Sequence, residues 1–161
     1  MLSNFYCTKD EDVQSFLRER AVIYERKHKA RTYLIVNSEE LEAGTLQILA
    51  YFSVALKVIQ IADTVTRSKA KKLDGLYSNI EQTPGYLIGQ LAKNDVYASQ
   101  IKGNEVLDYA FDVIDKAFSA VGGRFVLVEC ADNVKLKSFY DNYGFQHLQQ
   151  PDELVQLVRF L

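Results

Sequence analysis

The sequence has few of the features that mark metal-binding, disulfide-bonded or secreted proteins. Its 161 residues include only two cysteines, Cys7 and Cys130, which lie far apart and have no CxxC pattern or histidine cluster near them. This spacing argues against a zinc site or a disulfide framework and predicts two reduced thiols. The N-terminus lacks a basic segment followed by an apolar run, so no secretory signal is readable. We therefore expect a cytoplasmic protein.

An excess of positive charge and a membrane-spanning run are also lacking. Lysine and arginine total 19 against 21 aspartates and glutamates, a formal net charge of -2, so no overall basic field attracts nucleic acid or an anionic membrane. The most apolar segment, residues 45–61, is interrupted by polar side chains such as Lys57 and is shorter than the roughly 20 residues that cross a membrane. We interpret it as a core segment without membrane contact. The chain length predicts one domain over residues 1–161.

The first part of the chain predicts a helix followed by two paired strands. Thr8 and Glu11 form a capping box, and apolar residues at helical spacing follow, which predicts a helix over residues 9–28. The segment RTYLIVN favours a strand over residues 31–37. The apolar run after Gly44 favours a second strand that pairs with the first as a hairpin, with a polar turn between them.

A basic cluster follows this hairpin. Four cations, Arg67, Lys69, Lys71 and Lys72, lie within six residues of a polar segment. The composition predicts a short surface helix or a mobile loop. The cluster is either an ordinary solvated face or a docking surface for an acidic partner such as RNA.

The chain is organised around a strand, a polar turn and a long helix over residues 86–120. Gly103 in the turn allows the backbone to approach a ligand closely, and the first turn of the helix presents unpaired N–H groups with a partial positive charge. An anion, and a pyrophosphate in particular, suits this position. Residues 125–130 form a nearly continuous apolar run, typical of a strand buried on both faces. Strand, helix and strand therefore predict a right-handed βαβ unit.

Two elements complete the chain. Asn133 can cap a helix that carries Phe139 and Tyr140 on its apolar face and ends at Gly144. Weak alternation over residues 154–161 predicts a last strand.

The order of these elements and two of their motifs resemble the GNAT superfamily of acyl-CoA-dependent N-acetyltransferases. One motif is LAKN followed by QIKGNE, and the other runs from Asn133 to Phe145 and contains FYDNYGF. The resemblance covers most of the chain. It implies an α/β fold with a mixed, mostly antiparallel central sheet that contains one parallel βαβ unit and is flanked by helices.

The resemblance also implies where acetyl-CoA binds as co-substrate. The last residues of the central strand would offer backbone groups to the pantetheine arm, and the amides of the Gln-x-x-Gly turn would hold the pyrophosphate. Asn133 would help to hold coenzyme A. Tyr140 would be the general acid that protonates the leaving thiolate, and the alternative for Tyr140 is core packing alone. The implied cofactor-binding residues are Leu91, Ala92, Lys93, Gln100, Ile101, Lys102, Gly103, Asn104, Glu105, Asn133 and Tyr140.

The chain departs from the family pattern at two points. Glu105 stands where the family usually has glycine or alanine, which places a carboxylate near the expected phosphates. The segment between Leu91 and Gln100 is slightly longer than the common pattern.

We expect acetyl transfer from acetyl-CoA to a primary amine of a small molecule or a peptide by direct attack on the thioester. The general base stays open among Asp95, Glu105 and Glu129, and an amine that arrives neutral needs little help. A second possibility is a non-catalytic acyl-CoA-binding or protein-interaction module, since Glu105 weakens the match. The oligomeric state is open, with a homodimer favoured by analogy.

The N-terminal half supports a different acceptor. The segments Phe5-Tyr6-Cys7 and Arg31-Thr32-Tyr33 resemble the acetyltransferase toxins of bacterial toxin–antitoxin pairs, which acetylate the amino group of aminoacyl-tRNA. Such toxins are generally basic, as tRNA binding requires, whereas this chain is slightly acidic. We therefore rank the tRNA acceptor second.

Overall fold

The computed structural model describes residues 2–161 and contains one six-stranded sheet. Its strands are β1 (Arg31–Val36), β2 (Ile48–Gln60), β3 (Gln82–Lys93), β4 (Phe125–Ala131), β5 (Gln146–Gln149) and β6 (Leu154–Phe160). Their order in the sheet is β1-β2-β3-β4-β6-β5. β3 and β4 are parallel, whereas β1–β2, β4–β6 and β5–β6 are antiparallel. This confirms the predicted mixed sheet with one parallel βαβ unit.

The helices are α1 (Glu11–Ser15), α2 (Ala21–Arg26), α3 (Ser38–Glu42), α4 (Arg67–Asp74), α5 (Gly103–Val121) and α6 (Val134–Asp141). A π-helical segment, Phe16–Arg20, lies between α1 and α2, so the predicted first helix is confirmed with shorter ends. Short 3₁₀ turns occur at Leu2–Asn4 and Asp95–Tyr97. The predicted basic surface segment is helical and forms α4.

The predicted cap of the first helix is wrong. Asp10 caps α1, since its Oδ1 accepts a hydrogen bond from the Val13 amide at 3.2 Å. Thr8 instead donates from its amide and its hydroxyl to Oδ2 of Asp95, each at 2.7 Å. A distant carboxylate therefore takes the hydroxyl that the local pattern assigned to the helix end.

Two short elements were not predicted. The polar turn after β1 is the helix α3, and its cap is Asn37, whose Oδ1 accepts from the amides of Glu39 and Glu40. The strand β5 has only four residues, Gln146–Gln149, of which three are polar. Short polar segments carry little periodicity, and their conformation here depends on partners elsewhere in the chain.

The chain divides into two compact units. The first comprises Met1–Ala55 and Gly89–Ala117, and the second comprises Leu56–Ile88 and Phe118–Leu161. The long strands β2 and β3 each contribute residues to both.

The core of the first unit gathers around Tyr51, which is fully buried. Its ring meets Phe5 edge to face with centroids 5.1 Å apart, and its hydroxyl donates to the Val13 carbonyl at 2.5 Å. The bond satisfies the only polar atom of a buried side chain, so the ring can pack without an unpaired donor. Phe16 and Ala92 belong to the same cluster.

The core of the second unit gathers around Phe125 and Leu127 of β4, with Leu73 of α4 packed into the same cluster. Gly85 of β3 makes this packing possible. A Cβ atom on Gly85 would lie 2.3 Å from Cε2 of the Phe125 ring, which is far inside van der Waals contact. The absence of a side chain at Gly85 therefore lets the aromatic ring lie against the strand.

Candidate active site

In the first unit, a buried asparagine holds the end of β3. Asn94 follows directly after Lys93 and is 1% exposed. Its Oδ1 accepts from the Tyr6 and Val96 amides, and its Nδ2 donates to the carbonyls of Asn4 and Ile48. All four hydrogen-bonding positions of the amide are used, so Asn94 links the N-terminal segment to the strand end. Sequence inspection missed Asn94, although a polar residue that ends an apolar strand is a detectable signal.

The predicted pantetheine strand consists of Leu91, Ala92 and Lys93, the last residues of β3. Ala92 packs in the core of the unit, whereas Lys93 reaches the polar turn. The Lys93 ammonium donates to the carbonyls of Ala98 and Ile101 at 2.7 and 3.0 Å. The structure thus brings the strand end and the turn together through one side chain.

The turn itself is ordered by local contacts. The extra length before Gln100 forms the 3₁₀ turn Asp95–Tyr97, and the Gln100 amide donates to the Tyr97 carbonyl at 2.9 Å. The Ile101 side chain is buried, whereas Gln100 and Lys102 are exposed. The longer segment therefore adds a structured turn and leaves the predicted anion-binding residues at the surface.

The helix α5 begins at Gly103, as the motif predicts. Asn104 is exposed in its first turn. Glu105 turns back onto the chain, and its Oε2 accepts from the Lys102 amide at 2.7 Å. A glutamate at the third helical position that bonds the amide before the helix is one half of a capping box. One of the amides expected to hold a phosphate is therefore already bonded to a carboxylate of the same chain.

In the second unit, Asn133 caps α6. Its Oδ1 accepts from the amides of Lys135 and Leu136 at 2.9 and 3.3 Å. The capping role is confirmed, and a role in holding coenzyme A stays a prediction.

Tyr140 lies near the end of α6 and is 8% exposed. Its ring contacts Phe139 and Phe145 edge to face, with centroids 5.1 and 5.4 Å apart. Burial, with a smaller contribution from the Cys130 thiol, raises the pKa of the phenol, which therefore keeps its proton at neutral pH. Within residues 2–161 its hydroxyl has no hydrogen-bond partner. Tyr140 thus packs through its ring and retains a proton to donate.

The three carboxylates considered as general bases are all engaged. Asp95 accepts two bonds from Thr8, which lower the pKa of its carboxyl. Glu105 holds the Lys102 amide. Glu129 accepts from Nζ of Lys57 at 2.6 Å and from Nε2 of Gln156 at 2.8 Å. None of the three is positioned as an unoccupied base.

The glutamate at β4 belongs to a polar network that sequence inspection did not find. Gln156 accepts from Nε2 of Gln149, which is itself bonded to the Gln60 carbonyl and the Ala62 amide. Glu129 and Lys57 also line a cavity of about 390 Å³ beside the loop from Pro151 to Leu154. A lysine inside the apolar run of β2 was the available signal for this network.

The basic cluster of the sequence forms a surface on the second unit, the α4 surface, defined as Arg67, Lys69, Lys71, Lys72 and Arg124. Backbone carbonyls hold two of its cations, since Lys69 donates to His147 and Arg124 donates to Lys72. The salt bridges among the described residues include none of these side chains. Asp74 at the helix end is engaged by the amides of Leu76 and Tyr77. The α4 surface is therefore positively charged, although the whole chain is slightly acidic.

Some other kinds of site receive no support from the part of the chain that the structure describes. No group of three histidine, cysteine, aspartate or glutamate residues there could hold a metal ion. Cys7 and Cys130 are free and buried, and burial raises the pKa of both thiols. No helix among residues 2–161 is long and apolar enough to cross a membrane.

The sheet order, the βαβ unit and the two motifs define a GNAT-fold acetyltransferase, as the resemblance implied. Two solved structures of AtaT are similar to this chain. One is AtaT complexed with acetyl-methionyl-tRNAfMet, at 25% identity over 98% of this chain and 86% of that chain, with a TM-score of 0.75. The other is AtaTR bound with AcCoA, at 25% identity over 99% and 86%, also with a TM-score of 0.75.

A third similar structure is the Y145F mutant of KacT, at 22% identity over 99% of this chain and 87% of that chain, with a TM-score of 0.77. At that identity the match concerns the fold alone. No family model and no curated protein sequence matches the chain. The structural matches support the toxin-like branch better than the small-molecule acceptor that the sequence ranked first.

Proposed function

We propose that this chain is a toxin-type acetyltransferase that moves the acetyl group of acetyl-CoA to the α-amino group of an aminoacyl-tRNA. The observation that carries the proposal is the similarity, over 98% of the chain, to AtaT complexed with acetyl-methionyl-tRNAfMet. The slightly acidic net charge ranked this acceptor second. Net charge sums over the whole chain, however, and the α4 surface provides a local cationic region.

The end of β3 and the following turn would bind acetyl-CoA. Backbone groups of Leu91, Ala92 and Lys93 would contact the pantetheine arm, and amides of the turn from Gln100 to Glu105 would hold the pyrophosphate. Support comes from the order of the turn, which Lys93 and the buried Ile101 hold in place without a ligand. A pre-ordered turn loses less conformational entropy on binding.

Tyr140 would act as the general acid. The neutral amine attacks the thioester carbonyl carbon, and a backbone N–H near Ala92 or Lys93 would stabilise the negative oxygen that forms. When the tetrahedral intermediate collapses, the C–S bond breaks, the thiolate takes the phenolic proton of Tyr140, and the nitrogen loses a proton to solvent. The raised pKa of the phenol supports this role because the group stays protonated until the thiolate leaves.

The state of the carboxylates supports an α-amino acceptor. Asp95, Glu105 and Glu129 are each bonded to other groups of the chain, so no carboxylate stands ready to deprotonate an ammonium. An α-amino group has a pKa of about 8, and a substantial fraction is neutral at neutral pH, whereas a lysine amine with a pKa of about 10.4 is almost fully charged. An enzyme that lacks a strong base therefore suits an α-amino group better than a lysine side chain.

The α4 surface supports an RNA substrate. Its cations are exposed or half-buried and face no partner carboxylate among the described residues, and Tyr77, which is 68% exposed, lies just beyond the helix. Lysine and arginine contacts to phosphates supply most of the sequence-independent affinity for nucleic acid, and an exposed ring can stack on a base.

The direct test is an acetylation assay with acetyl-CoA and three acceptor classes: charged tRNA, a lysine-containing peptide and a polyamine. Mass spectrometry of the released aminoacyl group and the free thiol of coenzyme A are measured in parallel. We expect N-acetylated aminoacyl-tRNA and little turnover with the other acceptors. Efficient acetylation of the peptide or polyamine, with unmodified aminoacyl-tRNA, would contradict the proposal.

A further inference from the structure

The helix start at Gly103 carries its own anion. Glu105 is the third residue of α5 and the only acidic residue in the first turn. Its Oε2 lies 2.7 Å from the Lys102 amide nitrogen, a distance typical of a strong, charge-assisted hydrogen bond. The carboxylate therefore satisfies one of the N–H groups that a helix leaves unpaired at its start.

This position matters because the amides of the same turn are those proposed to hold the pyrophosphate. The family usually has glycine or alanine here, so the amides of a typical member face no competing side chain. In this chain a phosphate oxygen and the Glu105 carboxylate would compete for the Lys102 amide. The two anions would also repel each other, since both would lie beside the same helix end.

The carboxylate can move away, whereas the backbone of the turn is held. Glu105 is exposed, so no packed neighbour has to be displaced when its side chain rotates. The turn is tied by Lys93, which donates to the carbonyls of Ala98 and Ile101, and by the buried Ile101 side chain. Rotation of one side chain would therefore open the amide without unfolding the turn.

We infer that Glu105 is an intramolecular competitor of the pyrophosphate, and the inference rests on the proposed function because it presumes acetyl-CoA at this turn. In the free protein Glu105 caps α5. When acetyl-CoA binds, Glu105 releases the Lys102 amide, and it returns when coenzyme A leaves. Glu105 thus lowers the affinity for the cofactor and limits inhibition by the coenzyme A product.

The test compares Glu105→Gln and Glu105→Ala with the wild type in calorimetric titrations with acetyl-CoA and with coenzyme A. The first variant keeps an oxygen acceptor and removes the charge, and the second removes both. We expect both variants to bind about tenfold more tightly, which corresponds to about 1.4 kcal/mol. The gain should shrink at high salt because part of it is electrostatic. Asp108→Asn is the matched control, since Asp108 is exposed on the next turn of α5 and should leave the affinity unchanged.

Thermal unfolding without ligand separates competition from a structural role. Glu105→Ala should lower the stability of the free protein, because it removes a helix cap, and yet raise cofactor affinity. A purely structural glutamate would give lower stability with equal or weaker affinity, and that result overturns the inference. Product inhibition by coenzyme A should increase about tenfold in both variants, in line with the tighter binding.

Failure of the proposed function would look different from failure of this inference. If the wild type and the Asp108→Asn control bind acetyl-CoA but the Glu105 variants bind no more tightly, Glu105 is not a competitor and acetyl transfer stands. If no variant binds acetyl-CoA under any salt condition, both the inference and the proposed acetyl transfer are overturned.

Discussion

The ammonium of Lys57 lies 2.6 Å from Oε2 of Glu129, while the other oxygen of this carboxylate accepts a hydrogen bond from Gln156. The pair is partly exposed, at 37% for the Lys57 side chain and 21% for Glu129. This pairing assigns Glu129 a structural role, whereas its place on β4 had made it a candidate base.

The first prediction concerns that assignment. Glu129→Gln should keep turnover with aminoacyl-tRNA within about threefold and lower the free energy of unfolding by about 0.5–1 kcal/mol, the usual contribution of a partly exposed ion pair. Steady-state kinetics and urea unfolding measure the two effects. A loss of turnover of about 10²–10⁴, typical of a removed general base, would restore Glu129 to the mechanism.

A second prediction concerns Asp95 and pH. The amide of Thr8, and next its hydroxyl, lower the pKa of the Asp95 carboxyl below its ordinary value of 3.8. A group whose pKa is lowered by folding contributes stability above its unfolded pKa and loses that contribution as the pH falls through the folded pKa. The wild type should therefore be more stable than Asp95→Asn at neutral pH, and the difference should disappear below pH 3.8.

Chemical unfolding across this pH range measures the difference. Asp115→Asn, at an exposed position of α5, is the matched control and should give a flat difference. If the difference between the wild type and Asp95→Asn were equally flat, the contact with Thr8 would contribute nothing to stability.

The third prediction concerns the packing of Gly85. Gly85→Ala places a Cβ atom 2.3 Å from the Phe125 ring, and the ring is fully buried. Overpacking of this kind costs about 1–3 kcal/mol, which urea unfolding should show. The double variant Gly85→Ala/Phe125→Leu should lose less stability than the sum of the two single variants, because the smaller side chain makes room for the methyl group. Strict additivity would show that the two positions do not interfere.

The fourth prediction concerns the α4 surface. Arg67→Glu/Lys71→Glu should weaken binding of uncharged tRNA by roughly tenfold or more, and should reduce the slope of log affinity against log salt by about 2, one for each lost phosphate contact. The control Arg26→Glu/Lys27→Glu changes the net charge equally at exposed positions after α1. Fluorescence titration at several salt concentrations is the measurement. Equal weakening in both variants would show that net charge, rather than the α4 surface, governs binding.

Local signals predicted most of the fold. The continuous apolar run of β4, the apolar face of α5 and the glycine that ends it are each visible within a few residues, and the structure places these elements as predicted. Gly122 has a φ of +76°, a backbone conformation that side chains other than glycine rarely adopt, which explains why the helix stops at this position.

Contacts between distant residues could not be predicted from local patterns. Thr8 meets Asp95 across 87 positions, and Lys57 meets Glu129 across 72. Each of these pairs took a residue away from a role that its neighbours in the sequence suggested. Glu105 is the opposite case. Its acceptor, Lys102, lies three residues earlier, so half of a capping box was visible in the motif and would have explained the departure from the family pattern.

The most direct test of the account is a single-turnover comparison of the wild type with Tyr140→Phe, using acetyl-CoA and aminoacyl-tRNA. The variant keeps the aromatic packing against Phe139 and Phe145 and removes only the hydroxyl. We predict that acetyl-CoA binds with nearly unchanged affinity, while the rate of acetyl transfer to the α-amino group falls by about 10²–10⁴. Transfer at the wild-type rate would contradict the account, because the thiolate would then leave without the proton of Tyr140.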